Sequence, residues 1–323
     1  MKLMKRRVFI TGASGFVASH LARRCVDLGD DVHLSIRSTS NLWRIKDILS
    51  KVKLHEVDIS QREPLRKVIK KVRPEVIFHL ANAALYDGVH SSAKPYVEVN
   101  LLGTINIIDA CEDVDYECLV NTGSSAEYGP KEKKMNEQDL CNPQIVYAIT
   151  KLAGTNYASC VGKTHKKPVV TLRLFSPYGP YDDPKRLMSE AIVNALEGKP
   201  IFFSRPNIVR DYIYIEEVVD AYLKVVEKAK NYKGEIFNLG SGQETTIQEV
   251  ISEIIKITGS RSRTKWGVLP PRDFESPVWQ ADMSKMRELI GWKPQKSLQG
   301  GLEKTIYWYK KNLDFYRDKI RRF

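Results

Sequence analysis

The chain has 323 residues, 42% of them apolar and 28% charged, and a net charge of +12. That balance excludes a disordered chain, which would be poorer in apolar side chains, and a membrane-embedded one, which would be richer. The positive charge is scattered over 131–134, 163–167, 261–265 and 317–322, which suits solvated faces better than a nucleic-acid footprint. Short β-branched runs then alternate with helical patterns from the first residues onward. Strands are expected at 7–10, 31–36, 52–57, 76–80, 116–121 and 169–174, with helices between them at 15–28, 63–72, 95–111 and 145–160. Strands that are apolar throughout and separated by helices imply a parallel sheet covered on both faces.

Beyond Pro177 the punctuation is dense, with Gly179, Pro180, Pro184, Gly198, Pro200 and Pro206. A strand at 212–215, a helix at 216–229 and a strand at 235–239 are placed to return to the sheet. Helices are expected at 247–257, 284–290 and 298–312. The fold class is therefore α/β: a doubly wound parallel sheet of the Rossmann type over 1–175 and 207–240, and a smaller mixed α/β domain over 176–206 and 241–323. Cys25, Cys111, Cys118, Cys141 and Cys160 lack CxxC spacing and lie in apolar segments, so no metal is expected. No apolar run reaches the roughly 18–20 residues that cross a bilayer, and the basic start leads straight into a strand, so a cytoplasmic protein with no membrane partner is expected.

The turn after the first strand reads Thr11-Gly12-Ala13-Ser14-Gly15-Phe16-Val17-Ala18-Ser19-His20. Gly12 and Gly15 let the backbone turn tightly and approach a pyrophosphate, whose charge then faces N–H groups at Ser14, Gly15, Phe16 and Val17. At the end of the second strand, where an acid would hold the ribose of NAD, stand Arg37, Ser38, Thr39 and Ser40, with Arg44 beyond. A guanidinium and hydroxyls suit a 2′-phosphate, so NADP(H) is favoured, with NAD(H) as the alternative. Arg37 stacked on adenine or turned to solvent is the plainer reading.

Tyr147-Ala148-Ile149-Thr150-Lys151 puts a phenol and an ammonium four residues apart on one helix face, where the charge lowers the phenol's pKa. A phenol so tuned can exchange a proton with an alcohol or ketone. About twenty residues earlier, Thr122-Gly123-Ser124-Ser125-Ala126-Glu127-Tyr128-Gly129 ends a strand, and Ser124 can hydrogen-bond the same substrate oxygen.

With these motifs, and with Asp58-Ile59, His79-Leu80-Ala81-Asn82-Ala83, Asn100-Leu101-Leu102-Gly103-Thr104, the run from Arg173 to Pro180, Arg210-Asp211-Tyr212 and Asn238-Leu239-Gly240, the chain resembles the extended short-chain dehydrogenase/reductase family. These are the epimerases, dehydratases and reductases of nucleotide sugars, and the likeness covers nearly the whole chain. The resemblance implies that Asp58 and Ile59 hold the adenine. It also implies that Leu80, Ala81 and Ala83 line the pyrophosphate and ribose, that Asn100 belongs to the cofactor site and that Phe175 flanks the nicotinamide. Lys151 would also bind the ribose hydroxyls. Ser125, Ser176, Arg210 and Arg272 fall to the substrate, Ser176 where the family often carries an amide. A structural ion pair of Arg210 with Asp211 is the alternative for that arginine.

Members that remove water resemble one another in an Asp-Glu pair after the serine or threonine, and C3/C5 epimerases in a cysteine there. This chain has Ser125 and Ala126 at those positions. The resemblance therefore implies hydride and proton transfer at C4 of a nucleoside-diphosphate sugar. NADPH-dependent reduction of a 4-keto-6-deoxy sugar is the favoured reading and an NAD-dependent 4-epimerase the alternative. A non-catalytic scaffold that binds RNA stands as a different class. A homodimer is expected through helices 95–111 and 145–160, with Ile107, Ile108 and Ile149 as apolar contacts.

Overall fold

The computed structural model describes residues 5–83, 92–269, 276–317 and 319. Its main sheet has strands β1 (Arg7–Thr11), β2 (Asp31–Ile36), β3 (Lys53–Glu56), β4 (Val76–His79), β5 (Cys118–Ser124), β6 (Val169–Leu174) and β7 (Ile236–Leu239). They lie in the order β7-β6-β5-β4-β1-β2-β3, and every pair is parallel. The order reverses between β1 and β4, which opens a crevice at their carboxyl ends.

The strand alternation decides which side chains face which layer. Val8, Ile10, Val76, Phe78, Cys118 and Val120 join the larger buried cluster, while Phe9, Ile77 and Leu119 join the cluster on the other face. Helix α1 (Phe16–Asp27) lies in the first layer. Helices α2 (Arg62–Val72) and α3 (Gly103–Ala110) lie in the second. The larger cluster runs on without a break into Ile247, Trp292 and Leu302 of the carboxyl-terminal third.

The predicted strands and most predicted helices are present, and the strand at 235–239 returns to the sheet as β7. The strand at 212–215 does not: Tyr212–Tyr214 pairs with Ser176–Tyr178 in a separate two-stranded sheet. The predicted helix 95–111 is a composite, Lys94–Tyr96, a π turn Val97–Leu102, and then α3. Helix α4 (Val146–Thr164) covers the predicted 145–160. Several helical segments are additional to those read from the sequence, including short ones at Ser125–Tyr128 and Leu313–Arg317. Leu42–Lys51 is a 3₁₀ helix whose buried residues are Ile45 and Ile48, the three-residue spacing at which side chains eclipse in that geometry. In α5 (Leu187–Leu196) every residue from Met188 to Ala195 is buried, so no polar face marks its period.

Candidate active site

The glycine turn at the end of β1 is built for close approach. Gly12 has φ +69°, and a Cβ there would sit 2.6 Å from Ala81 Cα. The loops leaving β1 and β4 therefore touch, and only glycine fits between them. Helix α1 begins with Gly15 as N-cap, no side-chain cap and no acid in its first turn. Ser14 is thus not a capping residue. The first N–H groups of α1, at Phe16 and Val17, have no carbonyl one turn back inside the helix, and their positive end is open to an anion. This cradle fits the pyrophosphate of a dinucleotide.

Arg37 and Ser38 lie exposed beyond β2, where the Arg37 N–H donates to Ser40 Oγ at 2.9 Å. Arg44 serves the protein instead: its guanidinium donates to the carbonyls of Tyr181 (2.8 Å) and Ser14 (3.2 Å) and stacks over Trp43. Asp58 Oδ1 accepts from the Ser60 N–H and hydroxyl, and the carbonyl of buried Ile59 accepts from Asn106.

A buried hydrogen-bond chain runs from this turn to the tyrosine helix. Thr11 Oγ1 accepts from the N–H groups of Leu80 and Ala81, both at 3.1 Å, and meets His79 Nδ1 at 2.8 Å. His79 Nε2 reaches Thr104 Oγ1 at 3.1 Å, and Thr104 donates to the Asn100 carbonyl at 2.8 Å. With Thr104 spending its hydrogen on Asn100, the network assigns the His79 proton to Nε2 and leaves Nδ1 to accept from Thr11. Burial and the Lys151 charge hold His79 neutral, down to about 3. Asn100, placed by the π turn, accepts from the Ala83 N–H at 2.8 Å and donates to Thr150 Oγ1 at 3.2 Å. Thr150 in turn donates to the Tyr147 carbonyl at 2.9 Å.

On α4, Lys151 is buried and its ammonium donates to the Thr122 carbonyl on β5. Burial pulls Lys151 down to about 8, with the Glu127 carboxylate opposing the drop. The partly exposed Tyr147 lies one turn earlier on the same face, its ring edge-on to Tyr96 at 6.4 Å. Ser124 ends β5, and its Oγ accepts from the Ala126 N–H at 3.2 Å, so the hydroxyl keeps its hydrogen for another acceptor. The arrangement supplies a phenol, a nearby cation and a hydroxyl at the carboxyl edge of the sheet.

The remaining candidates are spread around this edge. Ser125 Oγ accepts from Trp279 Nε1 at 2.9 Å, and the Arg210 guanidinium lies 5.2 Å from the Trp279 ring centroid. Phe175 is buried with Tyr128, Met135 and Ala281. The Ser176 N–H donates to the Asp211 carbonyl at 3.0 Å. The Asp211 carboxylate accepts from Ser241, Gly242 and Ala281 N–H groups and the Ser241 hydroxyl, so its oxygens serve that loop. Arg272 lies outside the described residues. The sequence reading missed Thr11, Thr104, Thr150, Glu127, Thr155 and Trp279 as parts of this edge. Thr155 was within reach of it, being four residues beyond Lys151, whereas Trp279 has no local signal.

Comparison with known proteins shows what the chain as a whole is similar to. A putative UDP-glucose 4-epimerase of Methanocaldococcus jannaschii is 30% identical, over 94% of this chain and 99% of that protein. The UDP-glucuronic acid 4-epimerase of Bacillus cereus, solved with UDP-glucuronic acid and NAD, is 27% identical with a TM-score of 0.85, covering 95% of this chain and 99% of that one. The UDP-glucose 4-epimerase of Thermotoga maritima, solved with UDP-glucose, is 25% identical with a TM-score of 0.87 over 95% and 99%. The profile of the NAD dependent epimerase/dehydratase family spans residues 8–240, from β1 through β7, and the chain belongs to that family of enzymes.

Proposed function

We propose that this chain is a 4-epimerase of a nucleoside-diphosphate sugar that works with tightly held NAD. The observation that carries the reading is the Tyr147–Lys151 face over the end of β5, followed by Ser125 and Ala126 where water-removing members carry an acid pair. Bound NAD supplies hydride acceptance and return. Tyr147 takes the proton of the C4 hydroxyl and later gives it back, Lys151 stabilises the phenolate, and Ser124 donates to the same sugar oxygen. Gly12, Gly15, Phe16 and Val17 are assigned to the pyrophosphate, and Asp58, Ile59, Leu80, Ala81, Ala83, Asn100 and Phe175 to the rest of the dinucleotide. Arg210 and Arg272 are assigned to the sugar nucleotide's diphosphate, with Ser125 and Ser176 beside the sugar. The two solved 4-epimerases support the reading, one with NAD and both with a UDP-sugar.

A second reading, an NADPH-dependent 4-keto sugar reductase, is favoured by one observation: Arg37 and Ser38 stand exposed where an acid would hold the NAD ribose. A panel of nucleoside-diphosphate hexoses and their 4-keto derivatives separates the two. Interchange of C4 isomers without net cofactor oxidation is expected; stoichiometric NADPH oxidation, lost on Arg37→Ala, would replace the epimerase with the reductase. Conversion of neither class of compound would overturn both.

We also propose that two chains pair along the helices at 94–110 and 146–164. Ile107 and Ile108 are unavailable for this, since they pack inside the chain's own core. Ile149, Val146 and Leu102 are exposed there, at 50%, 41% and 42%.

A further inference from the structure

Glu127 lies three residues beyond Ser124 and is fully buried. Its Oε1 accepts from the Ser124 N–H at 2.8 Å and from Thr155 Oγ1 at 2.9 Å, and its Oε2 accepts from Arg173 Nε at 2.8 Å. Thr155 follows Lys151 by four residues, so Tyr147, Lys151 and Thr155 form one stripe down α4. Lys151 clasps the strand end at the Thr122 carbonyl, and Thr155 clasps it two residues further on through Glu127. Gly123 lies between, where a Cβ would come within 2.9 Å of Glu127 Oε1. The strand end, the serine and the tyrosine helix are thus joined at a single carboxylate.

We propose that Glu127 is a positioning residue for the proton-transfer site: it fixes Ser124 and the Lys151 turn of α4, and it supplies the negative charge that balances the buried cations behind them. A buried carboxylate is costly to place unless it is paired and hydrogen-bonded, and its three donors meet that condition while tying it to both Ser124 and α4. The groups that face it are Lys151 on α4, Arg173 on β6, and Tyr128 and Cys141 around the Arg173 guanidinium; His79 on β4 faces Lys151 from the other side.

The inference rests on the Tyr147–Lys151 reading, and its test separates the two. Removing a negative charge lowers the pKa of every neighbouring acid and ammonium. In Glu127→Gln both limbs of the kcat profile should therefore move to lower pH, by about one unit for the nearer Lys151 and less for Tyr147. The phenolate absorbance of Tyr147, isolated by subtracting the same titration on the Tyr147→Phe background, should shift in the same direction without turnover. Thr155→Val removes one hydrogen bond and no charge, so turnover should fall roughly threefold to tenfold with both limbs in place. Unmoved limbs in Glu127→Gln, or an unchanged rate in Thr155→Val, would overturn the proposal, and the Thr155 result stands even if the glutamine variant does not fold. Full activity in Tyr147→Phe would overturn the proposed function instead.

Discussion

Lys151 is an ammonium that burial works against. Its nearest hydrogen-bond partner is a neutral carbonyl, and its pKa is lowered to about 8, so its charge is available to a developing phenolate rather than spent on a salt bridge. At the other end of the crevice, Gly12 is constrained by space as well as by its positive φ. Gly12→Ala should cost about 1–2 kcal/mol in backbone strain before the contact with Ala81 is relieved, and relief means separating the loops after β1 and β4. The expected outcome is a lower melting temperature together with loss of NAD binding by calorimetry; a variant that keeps both would show that the two loops do not share the cofactor cradle. The tyrosine, the lysine and this glycine were all legible in the sequence, because turn chemistry and i,i+4 spacing are local. Arg44 was not: its guanidinium is held by Tyr181, which lies 137 residues away.

Between elements, the buried chain Thr11–His79–Thr104–Asn100–Thr150 ties β1, β4, the π turn and α4 together. It depends on a neutral His79, since a protonated ring could not accept from Thr11. The unfolded chain takes that proton near 6.5 and the folded chain only near 3, so the unfolded state binds more protons across that window. Stability should therefore fall as pH drops below about 6.5, by at most about 1.4 kcal/mol per unit from this residue. Melting curves from neutral to mildly acidic pH check this: His79→Gln should be less stable at neutral pH and show a shallower acid slope. A slope identical to the unaltered chain would mean that His79 titrates normally. In the sequence 95–111 has the pattern of one plain helix, because the π turn that places Asn100 leaves the apolar pattern continuous. Helix α5 is hidden in the sequence for the opposite reason, since a helix buried all round has no period to read.

For the whole molecule, the doubly wound plan was legible because the central strands are mainly apolar and feed both buried clusters. The pairing of Tyr212–Tyr214 with Ser176–Tyr178 was not, since short strands gain their partners from tertiary placement rather than pattern. Trp279 reaches Ser125 across 154 residues of sequence, and only the folded chain brings it there. In the proposed function these parts meet at an edge of the sheet where one carbon of a sugar would exchange a hydride while one phenol would handle the proton. The most direct test uses a nucleoside-diphosphate hexose carrying deuterium at C4, incubated with the NAD-loaded enzyme and with its Tyr147→Phe variant. The account predicts that the C4 isomer formed by the unaltered enzyme keeps the deuterium at C4, because the nicotinamide returns it to the same carbon, and that interconversion slows by roughly 10²–10⁴-fold in the variant. Label lost to water while the unaltered enzyme converts its substrate, or a Tyr147→Phe variant that interconverts the isomers at the full rate, would contradict it.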